Sequence, residues 1–224
     1  MPAKIDLDGV TKRYGPVTAL DDVTVQFGPG AVHCLAGPNG SGKTTVLRLA
    51  AGLTRATSGT VSAPDAPGYA FQRPSLYPDL TVAENLDVFS ELVGADPEWR
   101  AHLAERLRLR PARRRVAADL SDGYAKKLDL ALALLKEPRV LLLDEPLADL
   151  DDLTVSRLVD LLAEYRDDRR TVVVSSHRLG RLEGLLDRLV VVRDGWVRLD
   201  RATAGLDRPV ADVYADAVRT ADGG

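Results

Sequence analysis

The run Gly37-Pro38-Asn39-Gly40-Ser41-Gly42-Lys43-Thr44 carries the residue types needed to hold a polyphosphate. It fits the G-x-x-x-x-G-K-[ST] pattern of a phosphate-binding loop. Its glycines let backbone N–H groups converge on phosphate oxygens with no Cβ in the way. The helix that follows adds the positive end of its dipole. Lys43 has the reach and charge for the β- and γ-phosphates, and the Thr44 hydroxyl is a ligand for Mg²⁺. A second constellation lies about 100 residues downstream, where Val140-Leu141-Leu142-Leu143 runs into Asp144-Glu145-Pro146. A carboxylate at the end of a buried strand beside a phosphate loop can hold Mg²⁺, directly or through water. The next residue, Glu145, is then placed to activate a water for attack on the γ-phosphate.

Such groups need elements to position them. Ala31 to Ala36 reads as a buried strand and residues 43–52 as a helix, which is the strand–loop–helix context the loop requires. Lys4 to Val10 and the alternating Val23 to Phe27 read as earlier strands. Gly59 to Val61 and Gly68 to Phe71 read as short ones. Residues 73–137 change character. Thr81 with Glu84 forms a capping box before a helix to Val93. Helical patterns follow over Glu98–Leu107 and Gly123–Leu135, the latter with Leu128, Ala131, Leu132 and Leu135 on one face. Strand-like runs return at Val140–Leu143, Thr171–Val174, Leu189–Val192 and Trp196–Leu199. A helix over 152–166 separates the first two and implies parallel pairing. The last twenty residues carry weak helical signal and are expected to be mobile.

The 224 residues are 45% apolar, enough for a real core. The net charge of -3 argues against a global basic field for nucleic acid. The single Cys34 excludes an internal disulfide and reads as a buried core thiol. The first nine residues lack the apolar stretch of a secretory signal, and no run approaches a membrane span. The expectation is a soluble, cytoplasmic chain.

Further short motifs fall in a family's order, and the chain resembles the ATP-binding subunit of ABC transporters over nearly its whole length. Tyr14 matches the aromatic residue that stacks on adenine, and Gln72 the glutamine that contacts Mg²⁺ and the attacking water. Leu120-Ser121-Asp122-Gly123-Tyr124 matches the signature motif, Leu147 to Asp151 the loop that crosses the dimer, and His177 the histidine on the γ-phosphate. The resemblance implies an α/β fold: a P-loop NTPase core with a parallel sheet, an N-terminal antiparallel β subdomain and a helical insertion. The single ABC ATPase domain would divide into a core (1–72 and 138–200), a helical subdomain (73–137) and a C-terminal tail (201–224). It implies ATP and Mg²⁺ as ligands. Tyr14, Gly37, Pro38, Asn39, Gly40, Ser41, Gly42, Lys43, Thr44, Thr45 and Gln72 would bind ATP, completed in trans by Ser121 and Gly123. Thr44, Gln72 and Asp144 would hold Mg²⁺, Glu145, His177 and Lys43 would be catalytic, and Asp151 would belong to the crossing loop. Implied partners are a second ATPase subunit, identical or not, and an integral membrane permease that would hold the chain at the inner face of the membrane; no nucleic acid is expected.

The signature departs from the usual Leu-Ser-Gly-Gly-Gln at Asp122 and Tyr124. Tyr124 looks like variants found in ATPases of ABC-2 type exporters. A carboxylate near a triphosphate repels it unless it faces solvent or a cation. Either Asp122 faces away and the site is ordinary, or closure over the nucleotide is weakened. The arginines at 106, 108, 110, 113, 114 and 115 read as a solvated face or a contact for acidic groups. A GTPase or small-molecule kinase is disfavoured because no Asn-Lys-x-Asp guanine motif occurs. A non-transport ABC ATPase acting on DNA or ribosomes is the alternative, though the chain has no heptads and no basic stripe.

Overall fold

A computed structural model describes residues 3–219. Its centre is a six-stranded sheet in the order β5-β6-β7-β3-β8-β9. Here β3 is Ala31–Ala36, β5 Gly68–Ala70, β6 Val140–Asp144, β7 Thr171–Ser176, β8 Arg188–Arg193 and β9 Trp196–Ala202. The first five strands in that order pair in parallel, and β9 closes the edge antiparallel to β8. The continuous apolar runs seen in the sequence have a physical reason, because these strands are covered on both faces. Leu141, Leu143, Val172 and Val174 point into one core, while Val140, Leu142, Val173 and Leu35 point into the other.

The second core is roofed by a smaller antiparallel sheet in the order β2-β1-β4. It comprises β1 (Ile5–Tyr14), β2 (Val17–Phe27) and β4 (Ser58–Ser62), with α1 (Lys43–Ala50) packed between the two sheets. The first core is covered by helices. These include α2 (Val82–Val93), α3 (Pro97–Arg106), α4 (Asp122–Leu134) and α5 (Asp152–Tyr165). The Thr81–Glu84 capping box forms as expected at the start of α2. Strands β1 and β2 run longer than their apolar cores suggest, since they continue to the Tyr14–Val17 turn.

The C-terminal segment differs from expectation. Within the supposed tail, α6 (Val210–Arg219) forms and buries Val210 and Val213. Glu183 accepts a hydrogen bond from the Val210 N–H at 2.8 Å. Among the described residues no helix is long and apolar enough to cross a membrane.

Candidate active site

The loop at 37–42 joins β3 to α1 and is gripped from two sides. A Cβ on Gly37 would lie 2.1 Å from the Val192 carbonyl oxygen of β8. Gly42 has φ +110, and a Cβ there would meet the Leu20 side chain at 2.6 Å and the Ala19 carbonyl oxygen at 2.8 Å. Only glycine fits both the backbone angle and the approach of β2. The first helical residues, Lys43, Thr44 and Thr45, join Asn39, Gly40, Ser41, Gly42, Gln72 and Glu145 in lining a cavity of about 210 Å³. No side chain caps α1. Its first N–H groups, which have no partner within the helix, therefore remain donors for an anion. Lys43 is buried and donates to the Gly37 and Pro38 carbonyls at 2.8 and 3.1 Å.

Behind the loop, one hydroxyl joins the Asp144 carboxylate to the Glu145 backbone. Asp144 pairs with Ser175 in the parallel register of β6 and β7. Ser175 Oγ donates to Asp144 Oδ1 at 2.8 Å and accepts from the Glu145 N–H at 2.9 Å. Tyr69 reaches Asp144 Oδ2 at 3.4 Å, and burial followed by the Asp144 charge pushes its phenol up. Glu145 itself takes a left-handed backbone, φ +47, which turns its side chain off the strand line and towards the loop. Its Oε2 lies 3.0 Å from His177 Nδ1. Its Oε1 is buried without a hydrogen bond, 3.5 Å from Lys43 Nζ.

These groups suit a magnesium–triphosphate ligand. Thr44 offers a hydroxyl, Gln72 an amide and Asp144 a carboxylate, an all-oxygen set for a hard cation. No cluster of three or more His, Cys, Asp or Glu able to hold a metal occurs among the described residues. Asp144 is 1% exposed and does not line the cavity, so it would act on a cation from behind the wall, directly or through water.

Gln72 sits in an irregular segment after β5 that α4 holds from below. Lys126 Nζ donates to the Phe71 and Gln72 carbonyls at 2.6 and 2.9 Å. Asp129 accepts from the Phe71 and Ser75 N–H groups at 2.7 and 3.0 Å. Burial pushes the Asp129 carboxyl up to about 6, against the two N–H groups and the Lys126 ammonium that favour its charged form.

The signature residues lie elsewhere. Ser121, Asp122, Gly123 and Tyr124 line an open concavity with Lys127, Asp149 and Asp151. The N-cap residue Ser121 makes no capping bond through its side chain, so the hydroxyl is free to act outward. Gly123 lets α4 approach the crossing loop, since a Cβ would stand 2.7 Å from the Asp149 carbonyl oxygen. Asp122 is exposed in the first turn of α4 and makes no hydrogen bond or ion pair among the described residues. A carboxylate is favourable there because it meets the positive end of the helix dipole. Asp151 has a structural task the sequence did not reveal. It caps α5 through Thr154 N–H and Oγ1, at 2.9 and 2.8 Å, and lies 3.3 Å from Lys127 Nζ. Tyr14, at the end of β1, is 44% exposed with Lys12 Nζ 4.7 Å from its ring centroid. It does not line the phosphate-loop cavity.

The structure thus brings Gly40, Lys43, Thr44, Gln72 and Glu145 together with His177 beside them, and leaves Tyr14, Ser121 and Gly123 apart. Sequence reasoning missed Ser175, Lys126 and Asp129. The signal for the last two was present: an i,i+3 charged pair inside the apolar run that follows the signature motif.

A loop, cavity and carboxylate pair of this kind on a parallel sheet define a P-loop nucleoside triphosphatase. Residues 20–148 match the family model described as ABC transporter, and the chain belongs to that family. It is 37% identical to a phosphonates import ATP-binding protein of Natronomonas pharaonis, over 95% of this chain and all of the relative (100%). It is 28% identical to a lantibiotic transport ATP-binding protein of Streptococcus pyogenes, over 90% of this chain and 92% of the relative. Among solved structures, a dimeric ATP-binding cassette in a post-hydrolysis state with ADP and Pi superposes with a TM-score of 0.78. That cassette is 26% identical, and the match covers 90% of this chain and 100% of the cassette. The chain is an ATP-binding ATPase subunit of the ABC transporter family.

Proposed function

We propose that this subunit hydrolyses ATP to drive a substrate through a separate membrane permease, with export as the direction. The observation that carries the catalytic part is the disposition of Glu145. One of its oxygens is tied to His177, while the other is buried and without a hydrogen bond beside Lys43 and the phosphate loop. A carboxylate so held can take a proton from an attacking water without first breaking a bond on that oxygen. Lys43, His177 and the loop N–H groups stabilise the charge of the transferring phosphoryl group, which is most of what phosphoryl transfer asks of a protein. Thr44, Gln72 and Asp144 would hold Mg²⁺, which would neutralise phosphate charge. The exposed Tyr14 supplies a face for adenine.

Ser121 and Gly123 stand apart from the cavity of their own chain and complete the site of a second ATPase subunit. The exposed, unbonded Asp122 supports an ordinary signature that turns its carboxylate to solvent. The export direction rests on the Ser-Asp-Gly-Tyr variant alone. A permease contact is supported by an apolar groove between α2 and α3, lined by Val82, Leu86, Ala104 and Leu109 and edged by Arg110 and Arg113. Through that contact the subunit resides at the inner face of the membrane. The test is Glu145→Gln in the assembled protein. ATP binding is expected to persist and turnover to fall about 100- to 10,000-fold, with an ATP-bound dimer accumulating; near-normal hydrolysis would sink the assignment.

A further inference from the structure

The geometry points to a buried clasp, Lys126 with Asp129, that fastens Gln72 to the signature helix so that the two move as one body. The inference rests on the proposed role of Gln72 at the phosphate-loop cavity. Lys126 and Asp129 are 1% and 3% exposed, respectively, on one side of α4. Between them they take both polarities of the 71–75 backbone. Lys126 holds the Phe71 and Gln72 carbonyls, and Asp129 holds the Phe71 and Ser75 N–H groups. That segment lies in neither strand nor helix, so side-chain bonds from α4 stand where ladder bonds would otherwise be. The bonds go to backbone atoms on either side of the Gln72 Cα and leave its side chain on the cavity wall.

The same helix begins at the signature motif. Ser121 stands at the N-cap position of α4, and Lys126 lies five residues on, about 7.5 Å along the axis at about 1.5 Å per residue. A shift of the α4 N-terminus is therefore carried to the Gln72 backbone by a rigid rod and four short bonds. A buried charged pair is expensive to desolvate and contributes little net stability over apolar residues of similar size. Its consequence lies in fixing where Gln72 sits. Lys126 and Asp129 are thus positioning residues, acting on hydrolysis through Gln72 and not by touching ATP.

The test compares wild type, the double variant Lys126→Met/Asp129→Leu, Asp129→Asn and Glu145→Gln in the assembled protein. The double variant removes the clasp without leaving an uncompensated buried charge. It is expected to fold with a lowered melting temperature, because four backbone groups of residues 71–75 lose their partners, to keep its KM for ATP, and to lose kcat by about tenfold or more through misplacement of Gln72. Hydrogen exchange should show the Phe71 and Ser75 amides faster in Asp129→Asn, with the amides of β6 unchanged. If Glu145→Gln is inactive but the double variant keeps the wild-type kcat, or loses kcat only in step with ATP affinity, the clasp is wrong while the site stands. If Glu145→Gln turns over normally, the site reading itself has failed.

Discussion

The phosphate-loop face and the signature face of this subunit are built on opposite plans. Around the loop, every functional carboxylate is buried and tied down. Ser175 serves both Asp144 and Glu145, His177 holds one Glu145 oxygen, and glycines let β2 and β8 press on the loop. Around the signature, Ser121 and Asp122 are exposed and their side chains make no bonds within the chain among the described residues. The first face is arranged before its ligand arrives, as electrostatic catalysis requires. The second offers its hydroxyl and carboxylate outward, as the proposed closure of a second subunit on it requires. Under the proposed function, the difference teaches that one polypeptide carries two half-sites, with the chemistry concentrated in one of them.

The comparison can be broken first at its most buried point. Ser175→Ala removes the hydroxyl that donates to the Asp144 carboxylate and leaves the Glu145 N–H unpaired. Denaturant melts should show a loss of about 1–3 kcal/mol, together with a clear fall in turnover. Unchanged stability and unchanged turnover would mean that the loop face is less tightly arranged than described. A smaller effect is expected on the other face, where Asp151→Ala removes the α5 cap. The expected cost is about 1 kcal/mol, read as a lower unfolding midpoint. The hydrogen bonds from Thr154, aided by Lys127, hold the Asp151 carboxyl down to about 2, below its ordinary 3.8. A depressed carboxylate stabilises the fold above its unfolded pKa and ceases to do so as pH falls through the folded value. The stability difference between wild type and Asp151→Ala should accordingly be full above pH 3.8 and shrink towards pH 2. A difference that stays constant across that window would show that Asp151 acts by shape and not by charge.

Much of the loop face was legible in the sequence because its signals are local. The Gly37–Thr44 spacing, the apolar run into Asp144-Glu145 and the Thr81–Glu84 box each specify geometry within a few residues. The parts that were not legible depend on neighbours distant in the chain. Ser175 matters only because the parallel register sets it opposite Asp144. Lys126 and Asp129 read as ordinary helix charges until residues 71–75, more than 50 positions upstream, are packed over them. The helix α6 reads weakly in the sequence because its partners are Glu183 and the β8–β9 pair and not adjacent residues. Asp151 was read for its place in the crossing loop, while its capping of α5 needed the Thr154 geometry to be seen.

The claim that the two faces are halves of a shared site is tested most directly by Ser121→Arg in the assembled protein, with ATP binding and hydrolysis measured on the same samples. Because Ser121 is outside the cavity formed by its own chain, ATP affinity should be retained while hydrolysis is lost. Hydrolysis at the wild-type rate, or a loss of ATP affinity in parallel with turnover, would contradict the account.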